Sequence, residues 1–286
     1  MRVIDTLLWA TDSVAVSFSG GRDSLVALHL ALRRKPDLTV VFINTGIEFP
    51  ETVAYVRQIA KEWQLDLREA RAGRSFWRLA RERGLPIGGR GNSFFRKALA
   101  EAAEVKLSNA CCNQLKITPA RQFYRRHSIE GVVTGLRADE SLMRRLNLAD
   151  YGALRWSRDY GALVAWPLFA WQREDVEAYS AAHNLPLNPL YGMGHQRVGC
   201  WACLQDFLRD DSRLFTLKHT HPGMYESLKA QFGDELLRVL AAWGNVQHLD
   251  FTLEQFDGLY TPCGLDLLRP NSQQRQRKTD LTASQK

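Results

Sequence analysis

The sequence predicts an α/β fold in which a doubly wound parallel sheet is followed by a mostly helical C-terminal extension. The first observation behind this prediction is that short apolar runs alternate with segments whose apolar residues recur at helical spacing. The second is that a glycine-containing turn follows each of the apolar runs at residues 14–18 and 39–43. In a parallel sheet such turns lie at the C-terminal strand ends, where ligands bind.

Each element follows from a local pattern. Residues 1–12 carry apolar side chains at the spacing of a short amphipathic helix. The helix after the second strand starts near Pro50, whose missing N–H is not needed in a first helical turn. The chain from about residue 204 to residue 243 is predicted to be helical. Apolar runs predict five strands, the first beginning at Val14 and the others at residues 39–43, 65–68, 131–134 and 163–166.

Three segments are expected along the chain. Residues 1–185 would form the α/β domain, and residues 186–268 would form a helical extension packed on it. Residues 269–286 would be a basic, disordered tail, because Arg275, Arg277 and Lys278 stand there among Ser, Gln and Thr.

The composition favours a cytoplasmic protein with anionic partners. Hydrophobic residues make up 45% of the 286, enough for a full core, and the formal net charge is +7. No apolar run reaches the roughly 20 residues that a membrane-spanning helix needs, and the first residues do not resemble a secretory leader. We therefore expect a cytoplasmic protein without a membrane partner, whose positive charge favours a nucleotide or a nucleic acid as ligand.

The segment Ser19-Gly20-Gly21-Arg22-Asp23-Ser24 predicts an anion site between the first strand and its helix. Gly20 and Gly21 permit positive φ and a close approach of a ligand to the backbone. The first N–H groups of the helix lack intrahelical partners, which favours phosphate as the ligand. The segment matches neither G-x-x-x-x-G-K-[ST] nor G-x-G-x-x-G, so a different kind of phosphate loop is predicted.

Four of the five cysteines form two pairs, Cys111-Cys112 and Cys200-x-x-Cys203. A disulfide framework is not expected in a cytoplasmic chain. Paired thiolates suit Zn²⁺ or an iron–sulfur cluster, and a C-x-x-C pair also suits a redox dithiol. We expect a metal site at these four residues, with the metal left open by the spacing alone.

Several motifs resemble those of the PAPS reductase family within the adenine nucleotide α-hydrolase, or PP-loop, superfamily. Residues 19–24 resemble its S-G-G-x-D-S pyrophosphate loop. Residues 44–52 resemble its D-T-G-x-x-F-P-E-T segment, and residues 135–141 resemble its G-x-R-x-x-E-S segment. The C-C…C-x-x-C spacing is similar to the [4Fe–4S] signature of the adenylylsulfate reductase branch. The resemblance extends from about residue 13 to residue 232.

The resemblance implies a site for ATP and Mg²⁺ in the α/β domain. The backbone of Gly20 and Gly21 and two serine hydroxyls would hold the β- and γ-phosphates. Asp23 would help to place Mg²⁺, and Arg137 would neutralise the α-phosphate or the leaving group. Asn44, Thr45 and Gly46 would border the adenosine. The full expected nucleotide-binding set is Ser17, Ser19, Gly20, Gly21, Arg22, Asp23, Ser24, Asn44, Thr45, Gly46, Gly135 and Arg137.

By the same resemblance, a [4Fe–4S] cluster would be held by Cys111, Cys112, Cys200 and Cys203, making the extension a cluster-binding one. Lys116 would lie nearby and offset the negative charge of the cluster. The cluster would relay or hold sulfur, or connect two segments of the site. A Cys₄ zinc site is the alternative.

Two activities share these motifs, and departures from each pattern separate them. Reductases of this family generally carry a degenerate phosphate loop and a nucleophilic cysteine in a C-terminal E-C-G-L-H motif. This chain retains the whole loop, whereas its nearest C-terminal match, Pro262-Cys263-Gly264-Leu265-Asp266, keeps only Cys-Gly-Leu. The intact loop and the segment Val198-Gly199-Cys200-Trp201-Ala202-Cys203 are similar to the ATP pyrophosphatase component of DNA phosphorothioation systems.

The favoured prediction is an ATP pyrophosphatase that adenylates an acceptor, so that sulfur can then displace the adenylate. Its expected partners are an adenine nucleotide, a nucleic acid acceptor (DNA or tRNA), and a cysteine desulfurase or another sulfur donor; an oligomer is allowed. Arg144 and Arg145 would reach the acceptor or form a solvated helix face. One alternative is an adenylylsulfate or phosphoadenylylsulfate reductase with Cys263 as nucleophile. The other is a non-catalytic nucleotide-binding scaffold.

Overall fold

The computed structural model describes residues 2–87, 93–205, 207–208 and 212–247. These residues form two units that are interleaved along the chain: the first draws on residues up to 83 and on 109–202, and the second on 84–108 and on residues from 203 onward. The expected boundary between residues 185 and 186 falls inside the first unit. The expected tail and Cys263 lie outside the described residues.

The first unit contains a sheet of six strands in the order β3-β2-β1-β4-β6-β5. Neighbouring strands are parallel, except that β5 runs antiparallel to β6 at the edge. The doubly wound sheet predicted from the sequence is therefore confirmed, with one antiparallel strand added. The strands are β1 (Val14–Ser17), β2 (Thr39–Asn44), β3 (Leu67–Arg71), β4 (Gly131–Val133), β5 (Leu154–Ser157) and β6 (Ala162–Ala165).

Helices cover both faces of this sheet, and residues alternate between the faces along each strand. Val14 and Val16 of β1 pack in one buried cluster and Ala15 packs in the other, as the period of a strand requires. The helices of this unit are α1 (Arg2–Ala10), α2 (Arg22–Leu32), α3 (Pro50–Glu62), α4 (Phe76–Arg83), α6 (Ala110–Cys112), α7 (Thr118–Arg126), α8 (Leu142–Tyr151), α9 (Arg173–Ala182) and α10 (Pro189–Gly192), with a π-helical turn at Asn113–Ile117.

Helix α2 shows how the predicted apolar stripe is used. Leu25 and Leu28 are fully buried in the same cluster as Val16, and the helix contacts β1 and β4. Burying a leucine side chain contributes about 1.5–3 kcal/mol. This packing places the first residues of α2 directly above the C-terminal ends of two central strands.

Two elements differ from the sequence prediction. Strand β3 begins at Leu67 rather than Leu65, because the Leu65 N–H donates to Ala60 in the turn that ends α3. Strand β5 was not predicted: Arg155 and Trp156 lie in it, and none of its residues is fully buried. A short edge strand of this kind lacks the continuous apolar run that marks the central strands.

The second unit is helical in its described part. It contains α5 (Ser93–Ala103), α11 (Arg213–Thr220) and α12 (Pro222–Gln247), which confirms the helical prediction for the C-terminal region. Helix α12 contacts both α5 and α11, and the rings of Phe95 and Trp243 meet edge to face with centroids 5.5 Å apart. None of the described helices is long and apolar enough to cross a membrane.

Candidate functional site

The candidate site lies at the C-terminal ends of β1 and β4. From β1 the sheet continues through β2 to β3 in one direction, whereas from β4 it continues through β6 to β5 in the other. Ligands of open α/β sheets bind at such a reversal of strand order. The loop of residues 19–24, which we call the phosphate loop, follows β1 here, and residues 135–141 follow β4.

The phosphate loop presents backbone donors at the start of α2. Gly20 has a φ of 76°, which favours glycine, and Gly21 stands at the N-cap of α2 without a side-chain hydrogen bond. The Ser24 hydroxyl donates to the Gly21 carbonyl over 2.8 Å. The Ser19 hydroxyl lies 3.1 Å from the Ser24 hydroxyl. Within the described residues, the N–H groups of Asp23 and Ser24 have no acceptor. The loop can therefore bind an anion through these groups.

Gly135 lets the segment after β4 approach the phosphate loop. A Cβ atom at this position would lie 2.6 Å from the carbonyl carbon and oxygen of Asp23 and from the Ser24 nitrogen. These are backbone atoms of the first turn of α2, which cannot move aside without moving the loop. Gly135 was predicted as a nucleotide-binding residue, and the structure gives it close contact with the loop that would bind the nucleotide.

We expect Gly135→Ala to destabilise the protein by about 1–3 kcal/mol, because the new methyl group overlaps backbone atoms of the loop. Nucleotide affinity should fall with it. Thermal unfolding and ATP binding would be measured beside Gly73→Ala, because a Cβ at Gly73 meets no atom within 4 Å. Equal behaviour of the two variants would contradict the steric role of Gly135.

Arg137 connects the two loops electrostatically. Its Nε lies 3.1 Å from Asp23 Oδ1 and its Nη1 lies 2.6 Å from Asp139 Oδ2, and the residue is only 7% exposed. Asp139 Oδ1 is buried and, among the described residues, has no hydrogen-bond partner. Burial raises the pKa of Asp23, and the opposing charges of Arg137 and Arg22 do not fully compensate. The ion pair thus holds a partly desolvated carboxylate at the start of α2.

Arg144 adds a further positive charge near Asp23, whereas Arg145 does not. Ser141 caps α8 by accepting from the Arg144 N–H over 3.3 Å, which places Arg144 in the first turn. Its side chain forms an ion pair with Glu140. Burial and then the charge of Arg197 lower the pKa of Arg144, while Asp23 acts in the opposite sense. Arg145 is exposed. The predicted pair of arginines is thereby divided between the site and the solvent.

The segment after β2 has a tight turn at the predicted adenosine border. The Gly46 N–H donates to Asn44 Oδ1 over 3.0 Å, and Gly46 has a φ of 80°. The Thr45 hydroxyl is directed elsewhere: it donates to Glu48 Oε1 over 2.9 Å and lies 3.4 Å from Cys200 Sγ. Thr45 therefore leaves only its backbone for a nucleotide and connects this segment to a cysteine.

Two other predicted residues also make contacts within the protein. The Ser17 hydroxyl, at the end of β1, lies near the buried Tyr124 hydroxyl, and burial raises the pKa of Tyr124. The Arg22 guanidinium forms an ion pair with Glu177 of α9 and lies over the ring of Tyr191, 4.6 Å from its centroid.

The described cysteines are not joined by disulfides, and Lys116 lies near two of them. Cys111 and Cys112 form α6, and Lys116 follows in the π-helical turn, a distortion frequent at functional sites. Lys116 is exposed as a residue, but its ammonium group is buried. This burial is the strongest single influence on the pKa of Lys116, and it lowers that pKa. The net pKa is nevertheless raised by the negative charges of Cys200, Glu48, Tyr160 and Cys112.

Cys200 lies beside the segment after β2, because Glu48 and Cys200 form an isolated antiparallel bridge. Cys111, Cys112 and Cys200 belong to the first unit, and Cys203 belongs to the second. In the described parts of the chain, no group of three or more His, Cys, Asp or Glu side chains is arranged to hold a metal ion. The structure thus brings Cys112 and Cys200 near one ammonium.

Two residues that the sequence analysis did not predict, Asn188 and Tyr191, form hydrogen bonds with the phosphate loop. Asn188 is 2% exposed, and its amide donates to the Gly20 carbonyl over 3.1 Å and to Thr52 Oγ1 over 3.2 Å. The Tyr191 hydroxyl accepts from the Arg22 N–H over 2.9 Å. Both come from the segment around α10, far from the loop in sequence.

Comparison with known proteins assigns the chain to a family. Residues 13–206 match the phosphoadenosine phosphosulfate (PAPS) reductase domain. The chain belongs to this family. Two named relatives of this PAPS reductase family member are an adenosine 5'-phosphosulfate reductase of Salinibacter ruber and a phosphoadenosine 5'-phosphosulfate reductase of Buchnera aphidicola. The first is 28% identical over 70% of this chain and 72% of its own length, and the second is 29% identical over 74% and 80%.

Other relatives are longer than this PAPS reductase family member. An uncharacterized protein of Methanocaldococcus jannaschii is 26% identical over 81% of this chain and 52% of its own length. A second protein of that organism is 31% identical over 66% of this chain and 36% of its own length. The chain thus spans about half and about a third of these relatives. The solved PAPS reductase of Candida auris gives a TM-score of 0.49 at 21% identity, over 70% of this chain and 87% of that one.

The structure brings the phosphate loop, Gly135 and Arg137 of this PAPS reductase family member together. The segment at Asn44 follows the neighbouring strand, and Lys116 lies with the cysteines rather than with Asp23. A pattern could have indicated Asn188, because Asn before Pro189 is typical of an N-cap followed by a first helical turn. No local pattern identifies Tyr191, whose role depends on tertiary contact with Arg22.

Proposed function

We propose that this PAPS reductase family member is an ATP pyrophosphatase that adenylates an acceptor for sulfur incorporation into nucleic acid. The observation that carries the proposal is the ion pair between the buried Arg137 and the partly buried Asp23 at an intact phosphate loop. A loop with open N–H groups at a helix start suits phosphate oxygens. A buried guanidinium beside it suits charge that develops on a phosphoryl group.

In this proposal the chain's own residues bind and neutralise the triphosphate. The N–H groups of the phosphate loop and the hydroxyls of Ser19 and Ser24 hold the β- and γ-phosphates. Arg137 stabilises negative charge on the α-phosphate and on the departing pyrophosphate. Asp23 would help to hold Mg²⁺, which would supply positive charge that neutralises the phosphates. Burial raises the pKa of Asp23, and the charge of a bound cation would oppose that rise.

The proposed reaction has two displacements and a reductive release. An acceptor oxygen attacks the α-phosphorus of ATP, the bond between this phosphorus and the oxygen that bridges it to the β-phosphate breaks, and pyrophosphate leaves with the bonding electrons. The outer sulfur of a persulfide, supplied by a cysteine desulfurase or a similar donor, then attacks the activated position and releases AMP. An external thiol reduces the S–S bond that now joins donor and acceptor, which leaves the sulfur on the acceptor. Arg144, half-buried near Asp23, would bind an anionic acceptor such as a nucleic acid backbone, as the net charge of +7 also favours.

A [4Fe–4S] cluster on Cys111, Cys112, Cys200 and Cys203 is part of the same proposal. The donor set fits in type, since iron–sulfur clusters prefer thiolates. The charges of Cys112 and Cys200 both act on the Lys116 ammonium, which suits a site for an anionic group. Such a cluster would supply a site that holds or relays sulfur. The alternative metal at these thiolates is zinc.

A sulfonucleotide reductase is the second candidate, and the names of the relatives in Salinibacter ruber and Buchnera aphidicola favour it. In that reaction a cysteine thiolate attacks the sulfur of adenylylsulfate, or of its 3'-phosphorylated form, and the nucleoside phosphate leaves. The resulting S-sulfocysteine must then be reduced by an external thiol to release sulfite. Cys263 is the candidate nucleophile.

The deciding experiment measures pyrophosphate release from ATP by anaerobically purified protein, with and without DNA or tRNA. Sulfite release from adenylylsulfate and its 3'-phosphorylated form is measured in parallel. We expect pyrophosphate release that Asp23→Asn lowers about a hundredfold or more, because the variant loses the charge beside Arg137. Asp150→Asn is the matched control, since Asp150 is exposed on α8.

Each other outcome supports a different function. Sulfite formation that Cys263→Ser abolishes, with ATP inert, would establish the reductase. Nucleotide binding without either product, even with nucleic acid and a persulfide donor present, would leave the non-catalytic scaffold. The nucleic acid that stimulates pyrophosphate release would identify the acceptor.

A further inference from the structure

Helix α7 turns a row of arginine side chains toward the solvent. Arg121, Arg125 and Arg126 are exposed. Ala120 and Tyr124 of the same helix are buried in the cluster on one face of the sheet. The helix therefore packs by its apolar side and presents guanidinium groups on the other side.

The turn between β5 and β6 extends this row. Its Asp159 carbonyl accepts from Arg121 Nε over 2.7 Å, so the turn lies against α7. The neighbouring residue, Arg158, is exposed. We call Arg121, Arg125, Arg126 and Arg158 the arginine face.

The positive charge of the arginine face is not neutralised within the described part of the chain. None of its four guanidinium groups forms an ion pair with a carboxylate of the described residues. Exposed arginines of α3 and β3 differ in this respect, because Arg57, Arg68 and Arg71 are each paired with Glu69 or Asp66. The arginine face thus keeps its charge available for a ligand.

The sequence around α7 lacks carboxylates. Between Glu104 and Glu130 the chain carries five Lys or Arg and no Asp or Glu, which contributes +5 to the formal net charge of +7. Two carboxylates near the C-terminal end of α7 are engaged elsewhere: Glu130 accepts from the Asp12 N–H over 3.0 Å, and Asp66 accepts from Arg68 over 2.6 Å. Charges of one sign on a surface attract a polyanion.

A nucleic acid backbone fits the arginine face better than a membrane surface does. A guanidinium group can bind two phosphate oxygens at once. Arg121 and Arg125 are one turn apart, about 6 Å along the helix axis, so they can contact neighbouring phosphates. A helix that lies on a membrane buries an apolar face in the lipid. The apolar side of α7 is already packed on the sheet.

The arginine face begins close to the cysteines along the chain. Helix α7 continues from the π-helical turn, which itself follows Cys111 and Cys112 of α6. From Cys112 to Arg126 the chain advances about 20 Å at the rise of a helix. A nucleic acid bound along α7 would therefore extend toward the thiolates at which the proposed function places sulfur.

We propose that the arginine face binds the phosphate backbone of the nucleic acid acceptor. This inference rests on the proposed function, because it names the surface that holds the acceptor of that reaction. Phosphate contacts position a nucleic acid without reading its sequence, so binding here is independent of base sequence.

The test measures binding of a fluorescent DNA duplex of mixed sequence, and of a fluorescent tRNA, to the full-length protein by anisotropy at several salt concentrations. The double variant Arg125→Gln/Arg126→Gln removes two exposed charges. We expect it to weaken binding about tenfold and, for the duplex, to reduce the slope of log K against log salt by about 0.9 for each arginine. A preference for one probe would distinguish DNA from RNA as the source of the phosphates.

The matched control is Arg33→Gln/Lys61→Gln, which removes the same charge from exposed positions at the ends of α2 and α3, on the other face of the sheet. It should leave affinity and salt slope near the wild-type values. Thermal unfolding of both double variants would check that the fold is retained.

Three outcomes would overturn the proposal: unchanged affinity and salt slope in Arg125→Gln/Arg126→Gln, an equal loss in the control, or a wild-type protein that binds neither probe at low salt. An equal loss would show an effect of net charge alone. Failure of the proposed function gives a different result, in which nucleic acid binding depends on these arginines although ATP releases no pyrophosphate.

Discussion

Replacing Arg137 with glutamine is expected to lower kcat/KM for pyrophosphate release from ATP by about a hundredfold to a thousandfold. Arg137 is the buried cation beside the phosphate loop. When one preorganised group that stabilises transition-state charge is removed from an enzyme, the rate typically falls by about this factor. Glutamine retains hydrogen-bonding capacity but not charge. Steady-state kinetics with ATP and the nucleic acid that stimulates pyrophosphate release would measure the loss.

The same substitution should also affect stability. Asp23 and Asp139 would lose their shared cation, but their side chains are 30% and 22% exposed, so water would partly screen them. We expect the free energy of unfolding to fall by up to about 3 kcal/mol, which is near the lower limit for breaking a buried ion pair. Arg145→Gln, on the exposed face of α8, is the matched control and should change neither kcat/KM nor the free energy of unfolding. Unchanged kinetics in Arg137→Gln would contradict the role of this guanidinium.

We expect the anaerobically purified protein to carry iron and acid-labile sulfide, and we expect replacement of Cys200 with serine to remove both. Serine is a poor ligand for iron–sulfur clusters, which prefer thiolates. Serine has nearly the same volume as cysteine and can still contact Thr45 and Glu48, so the fold should be retained. Metal and sulfide analysis would measure the loss, and circular dichroism would check the fold.

The control for this substitution is Cys263→Ser, which should leave iron and sulfide unchanged. Wild-type protein that contains zinc without sulfide would replace the cluster by a structural metal site. Wild-type protein that contains neither metal after anaerobic purification and cluster reconstitution would contradict a metal role for these cysteines altogether.

The sequence correctly predicted the strands that are buried on both faces of the sheet. The apolar runs that form β1, β2, β4 and β6 are recognisable in the sequence. A central parallel strand is buried on both faces and is therefore apolar along most of its length. Strand β5 was missed because it lies at the edge and pairs only with β6, so its residues need not be apolar. Sequence patterns therefore predict the centre of this sheet better than its margin.

The candidate site shows a similar division. The phosphate loop was predicted because its function depends on local backbone geometry, which glycines and a helix start specify within six neighbouring residues. The ion pair between Arg137 and Asp23 depends on two separate strands ending side by side. The same holds for the difference between Arg144, which is half-buried and paired with Glu140, and the exposed Arg145.

The sequence by itself determined the α/β fold, the phosphate loop and the family. These depend on periodicity and on short contiguous motifs, which record local backbone preferences directly. Only the tertiary structure decided that Gly135 packs against the backbone of Asp23, and that Asn188 and Tyr191 support the loop. Such contacts join residues more than a hundred positions apart, and their energy comes from burial and hydrogen-bond geometry that exist only once the chain has folded.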